Sequence, residues 1–117
     1  MTATETTDPA ISSDDDGWLS AADEHEAVEL LHGLGCTDGL PVIVPTPERV
    51  ARMVLASGLD GDLMLAELGP AQGAATVEKI AVAAVMAGCL PDHMPVVLAA
   101  VQAVADPAFD LTEMQAT

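Results

Sequence analysis

Ala74 to Val104 reads AATVEKIAVAAVMAGCLPDHMPVVLAAVQAV, and this stretch decides the fold. It predicts two helices joined by a tight connector. Thr76 is placed to cap the first helix, with its side-chain oxygen accepting from free backbone N–H groups. Glu78 falls in the first turn, where the helix dipole favours a carboxylate. Gly88 is the natural stop, because glycine takes the left-handed conformation past a helix end. Asp92 is placed to cap the second helix, and Pro95 falls in its first turn, where proline is tolerated. Asp106-Pro107 ends that helix.

The composition of the pair is unusual. After Glu78 and Lys79 the first helix carries no charge, and Gln102 is the one polar break in the second. A helix that is apolar all round is either buried on all sides or lies in a membrane. Each run is shorter than the roughly 20 residues that a membrane span needs, and Pro91, Asp92, His93 and Pro95 break the join. Burial is therefore expected, by this chain's own elements or by a partner. The connector sets Cys89, Asp92 and His93 between the two apolar helices. It reads either as a thiol with polar neighbours at the edge of a dry pocket, or as a core cysteine beside a capping Asp and a surface His.

Length and charge narrow the possibilities. The 117 residues suffice for one small domain. Nineteen acidic residues stand against three basic ones, a net charge of −16. Nucleic acid and anionic membrane surfaces would be repelled, so neither is expected as a partner. Half of the residues are hydrophobic, yet there is one Trp, one Phe and no Tyr. A core of Ala, Val, Leu and Met buries little area per residue, which points to a core shared with another chain. Cys36 and Cys89 do not make a disulfide framework. The N-terminus lacks the basic and apolar regions of a signal peptide, so a cytoplasmic location with reduced thiols is the default expectation.

Outward from the hairpin, Met1 to Gly17 is Thr/Ser/Asp-rich and reads as a disordered acidic tail. Residues 18–117 then form a single small α/β domain or part-domain. Ser20 to Leu34 is the clearest amphipathic helix, with Ser20 as its cap and Ala27, Val28, Leu30, Leu31 and Leu34 on one side. His25, Glu29 and His32 lie on the other side, with Cys36 beyond. All three residue types are zinc ligands. Gly33 and Gly35 should end the helix before Cys36, however, and the His/Glu face is opposite the apolar one. The set therefore reads as a solvated face, and no metal or cofactor ligand is assigned. Leu40 to Val44, between Pro41 and Pro45, reads as an edge strand or extended segment. Thr46-Pro47-Glu48 starts a helix that Gly58 stops. Leu63 to Leu68 reads as a second strand, and Gly69 to Gly73 as a link to the hairpin. No GxGxxG, GK[ST] or calcium-loop spacing is present. The fold class is α/β, mostly helical, with two short strands and an apolar helical hairpin completed by a partner chain.

Two segments, TDGLPVIVPTPERV (Thr37 to Val50) and ATVEKIAVAAVMAGCLPDHMPVVLAAV (Ala75 to Val101), resemble the N-terminal part of bacterial proteins of the UGSC (seleno)protein family. The resemblance spans roughly residues 30 to 117. The name-giving U/C-G-S-C motif is absent, so the thiol or selenol chemistry attached to it is not carried over. Family members continue where this chain stops. The resemblance thus implies a separately encoded front piece, the small subunit of a hetero-oligomeric enzyme. Its larger partner would continue the family sequence and hold most of the active site. The reaction class stays open between lyase, hydrolase and thiol redox, and a small-molecule substrate is expected without being identified. A non-catalytic accessory protein, binding a partner through the same apolar helices, is the other reading.

The matched positions able to do chemistry are Asp38, Glu78, Lys79 and Cys89. Asp38 is a carboxylate on a turn. Lys79 amid apolar residues is a candidate base or nucleophile, or else the pairing partner of an acid such as Glu78. Cys89 is a candidate nucleophile if His93 activates it. Lys79 and Cys89 open and close one helix about 15 Å long, so at most one of them is central. The Lys79 end is favoured, because free backbone N–H groups there could hold an anion.

Overall fold

The computed structural model describes residues 18–68 and 73–109. The acidic tail Met1 to Gly17, the start of the link at 69–72 and residues 110–117 lie outside the described residues. In chain order the elements are α1 (Glu24–Gly33), α2 (Pro47–Ser57), β1 (Met64–Leu68), β2 (Gly73–Thr76), α3 (Val77–Met86) and α4 (Met94–Ala105). Short 3₁₀ turns occupy Pro91–His93 and Pro107–Phe109. The class is mixed and mostly helical, as the sequence implies. No helix among the described residues is long and apolar enough to cross a membrane.

Local chemistry sets most boundaries. Thr46 caps α2, its hydroxyl accepting from the Arg49 N–H at 3.3 Å, with Pro47 at the first helical position. Thr76 caps α3 in the same way through the Lys79 N–H at 3.2 Å. Gly58 and Gly88 follow α2 and α3 at φ of 70° and 89°, where a Cβ would be strained. Asp106 closes α4.

Three expectations need correction. The cap of α1 is Asp23, not Ser20: its carboxylate accepts from the Glu26 N–H at 2.8 Å, and Ala21 between them is buried instead of helical. Asp92 does not cap α4. The Leu90 N–H donates to Nδ1 of His93 at 2.9 Å, and the His93 N–H returns to the Leu90 carbonyl, so the histidine closes the connector. Leu40 to Val44 is extended but joins no sheet. The two strands are instead β1 and β2, an antiparallel pair with an irregularity between Met64 and Ala66. Pro41 denies that segment a ladder donor, and Pro45 denies the chain one directly after it. It is held by the Ile43 N–H on the Met86 carbonyl and by burial of Val44.

The main core lies where α2 packs against both α3 and α4. Val50 and Met53 of α2 meet Val77, Ile80, Ala81, Ala84 and Val85 of α3 and Met94 and Leu98 of α4. The strand pair covers another side through Leu65, Ala66 and Ala75. A second cluster joins Ala21, Ala27, Leu31 and Val44, and Met86 and Trp18 pack against it. Trp18 also packs against the main core. No buried residue among those described is polar or charged.

The described residues of this chain do not by themselves bury either helix of the hairpin on all sides. Along α4, Val96, Ala99, Ala100 and Ala103 recur at helical spacing and are exposed, Val96 to 72%.

Met94 is fully buried at the junction of α2, α3 and α4, whereas Leu55 on α2 is 82% exposed. Met94→Ala is expected to lower stability by about 2–5 kcal/mol. Leu55→Ala should stay within about 0.5 kcal/mol of the parent. Thermal or urea unfolding of the two variants measures the contrast.

Candidate functional site

The residues singled out in the sequence do not converge. Asp38 sits on an exposed turn, where its carboxylate accepts from the Leu40 N–H at 3.0 Å. That bond, with Thr37 Oγ1 accepting from the Gly39 N–H, gives Asp38 a turn-forming role. Glu78 lies in the first turn of α3 beside the 58–62 loop. Lys79 is exposed on the same turn. Cys89 is half-buried beyond the other end of α3.

The backbone at the start of α3 is already engaged. The Val77 N–H donates to the Leu63 carbonyl and the Glu78 N–H to the Gly61 carbonyl, each at 2.9 Å, while the Lys79 N–H goes to Thr76. The free donors expected there for an anion are thus used to dock the loop before β1. The favoured Lys79 end offers a cation without a prepared backbone cradle.

His25, Glu29, His32 and Cys36 do not form a metal centre. His32 Nδ1 is hydrogen-bonded to Thr37 Oγ1, and Gly35 at φ 73° turns the chain so that Cys36 is exposed. Among the described residues no group of three or more His, Cys, Asp or Glu side chains is placed to hold a metal ion.

Among the described residues, two of the cavities are each lined by several α2 side chains. The larger, about 710 Å³, has Trp18, Val50, Val54 and Leu55 in its lining together with Asp60, Asp62 and Glu78. It is the more open to solvent of the two. The smaller, about 300 Å³, lies between α2 and the α3–α4 connector. Ile43, Met53, Val85, Leu90 and Pro91 form its apolar wall, and Arg49, Arg52 and Cys89 add its polar groups.

The second cavity combines what the sequence separates. Two of the chain's three basic residues line it, one turn apart on α2. Arg49 is fixed, its Nη1 donating to Glu24 Oε1 at 2.6 Å and to the Val44 carbonyl at 2.8 Å. This ion pair is exposed, so it contributes orientation more than stability. The Arg52 side chain makes no ion pair or hydrogen bond with any described residue. Cys89 is held by its own N–H on the Ala84 carbonyl at 2.9 Å, in the bonding pattern that ends α3.

Cys89 was legible as a candidate from its place between two apolar helices. Helical spacing alone puts Arg49 and Arg52 on the polar side of α2, where nothing local marks them as site residues. Their signal was present: in a chain this acidic, two cations beside the apolar stripe Val50, Met53 and Val54 are unusual.

Gly88 places Cys89 by taking φ of 89°. Gly88→Ala should therefore cost about 1–2 kcal/mol. Gly33 ends α1 at a helical φ with open space around its Cα, so Gly33→Ala should be neutral or stabilising by up to about 1 kcal/mol. Unfolding midpoints of both variants test the opposite signs. Comparison of the chain with protein-family models, with curated proteins and with solved structures finds no match.

Proposed function

We propose that the chain is the small subunit of a hetero-oligomeric enzyme, contributing part of the active-site wall to a larger partner subunit. The observation that supports this is the outer face of α4. Val96, Ala99, Ala100 and Ala103 form an uncharged, exposed stripe on a helix without one ionisable side chain between Met94 and Ala105. Apolar surface gathered on one face is the mark of a binding surface. A second copy of this chain is a poor cover, because two bodies of net charge −16 repel each other. A different chain, less acidic or basic at its rim, fits the stripe. The resemblance of residues 37–50 and 75–101 to the front part of a longer family supports a partner that continues that sequence.

On this reading the cavity of Arg52 and Cys89 is the wall contributed, and the partner supplies the remaining catalytic groups. The reaction class stays open between lyase, hydrolase and thiol redox. One observation favours the alternative of a non-catalytic accessory protein. Asp38, Glu78, Lys79 and Cys89 are dispersed, and Asp38 is occupied in its own turn.

The test is co-expression with the product of the neighbouring reading frame. The expected result is a stable complex that Val96→Asp abolishes, since a carboxylate buried without a partner costs several kcal/mol. A complex that forms equally well with Val96→Asp contradicts the role of this face. In the intact complex, Cys89→Ala and Lys79→Met are then assayed separately. Loss of turnover in either supports a catalytic contribution, with Cys89 the favoured position. Normal turnover in both leaves the accessory reading.

A further inference from the structure

We infer that the 300 Å³ cavity between α2 and the α3–α4 connector binds a small monocarboxylate with a short apolar body, the carboxylate meeting Arg52. This holds whether or not a larger subunit covers α4, because every lining residue belongs to this chain.

The charge comes first. Acidic residues outnumber basic ones by 19 to 3, so a cation kept for stability would have many carboxylates to pair with. Arg49 does so through Glu24. Arg52, one turn along the same helix and lining the same cavity, pairs with none of the described residues. Among the described residues nothing occupies its guanidinium, which leaves it available to an incoming anion. A planar guanidinium matches a carboxylate through two parallel N–H···O bonds.

The backbone narrows the anion. A phosphate is commonly cradled by several free N–H groups. Four of the connector's donors are in use: Gly88 on the Val85 carbonyl, Cys89 on Ala84, Leu90 on His93 Nδ1 and His93 on Leu90. One free guanidinium without a backbone cradle suits a singly charged carboxylate better than a phosphate dianion.

The wall selects the rest of the ligand. Ile43, Met53, Val85 and Leu90 are aliphatic, and Ile43 and Leu90 are themselves 47% and 62% exposed. An apolar body laid against them removes that surface from water, at about 25 cal/mol per Å². The volume is at the lower end of ligand pockets, which run from about 300 to 1,000 Å³. A branched acid of a few carbons fits that size. The Cys89 thiol on the same wall serves as a reporter of occupancy.

The test uses the full chain with Cys36→Ser, which leaves Cys89 as the one thiol. Alkylation of Cys89 by iodoacetamide is followed by mass spectrometry with 3-methylbutanoate or 3-methylbutanamide present. The acid should slow alkylation about fivefold at four times its dissociation constant, and the isosteric amide should have little effect. Arg52→Gln should abolish the difference between them. Saturation-transfer NMR of the same two compounds supplies a readout independent of thiol reactivity. Equal protection by acid and amide, discrimination that survives Arg52→Gln, or no transfer to the acid would each overturn the assignment. Repeating the measurement with Val96→Asp separates this result from the partner reading, since that change alters α4's outer face and leaves the cavity intact.

Discussion

Everything in this chain depends on the burial of aliphatic side chains where α2 packs against the α3–α4 pair. Met53 and Met94 are the largest fully buried side chains there, with Val77. No buried polar group among the described residues assists them. The hydrophobic effect must therefore carry the fold, and it works here with small units. The alanines of α3, Ala81 and Ala84, let other elements approach closely but contribute little area. One consequence is that α2 and the strand pair cover one side of the hairpin each, and nothing in the described chain covers the outer face of α4.

Much of the architecture was legible because it is written in single residues with local consequences. Thr46, Thr76, Gly58, Gly88 and Asp106 each act within a turn of their own position, so caps and stops could be read directly. The errors concern choices that depend on distant partners. β2 is Gly-Ala-Ala-Thr, with little strand propensity of its own, and it forms because β1 lies antiparallel beside it. Leu40 to Val44 has better strand composition but no ladder to join. Ser20 and Asp23 are equally good caps in isolation, and burial of Ala21 decides between them.

The site was less legible for the same reason. Its cavity assembles Ile43, Arg52, Val85 and Cys89, which lie on four separate segments. Cys89 stood out because its connector is short and unusual. Arg52 did not, since only the fold shows that it lines a cavity and has no acidic partner among the described residues. At the Lys79 end the sequence could not show that loop carbonyls at Gly61 and Leu63 already occupy the backbone donors. Among the described residues, the start of α3 is engaged by loop carbonyls and the outer face of α4 is uncovered.

The central claim is that α4 is buried on one face and bare on the other among the described residues. Leu98 and Ala99 are neighbours on that helix, one 6% exposed and the other exposed. With the native cysteines replaced, Leu98→Cys and Ala99→Cys can each be labelled by a soluble maleimide. Position 99 should react at the rate of a free thiol. Position 98 should react on the order of 100-fold more slowly, as about 2.7 kcal/mol of local protection would give. Equal rates at the two positions would mean that α4 does not pack as described and would contradict the account.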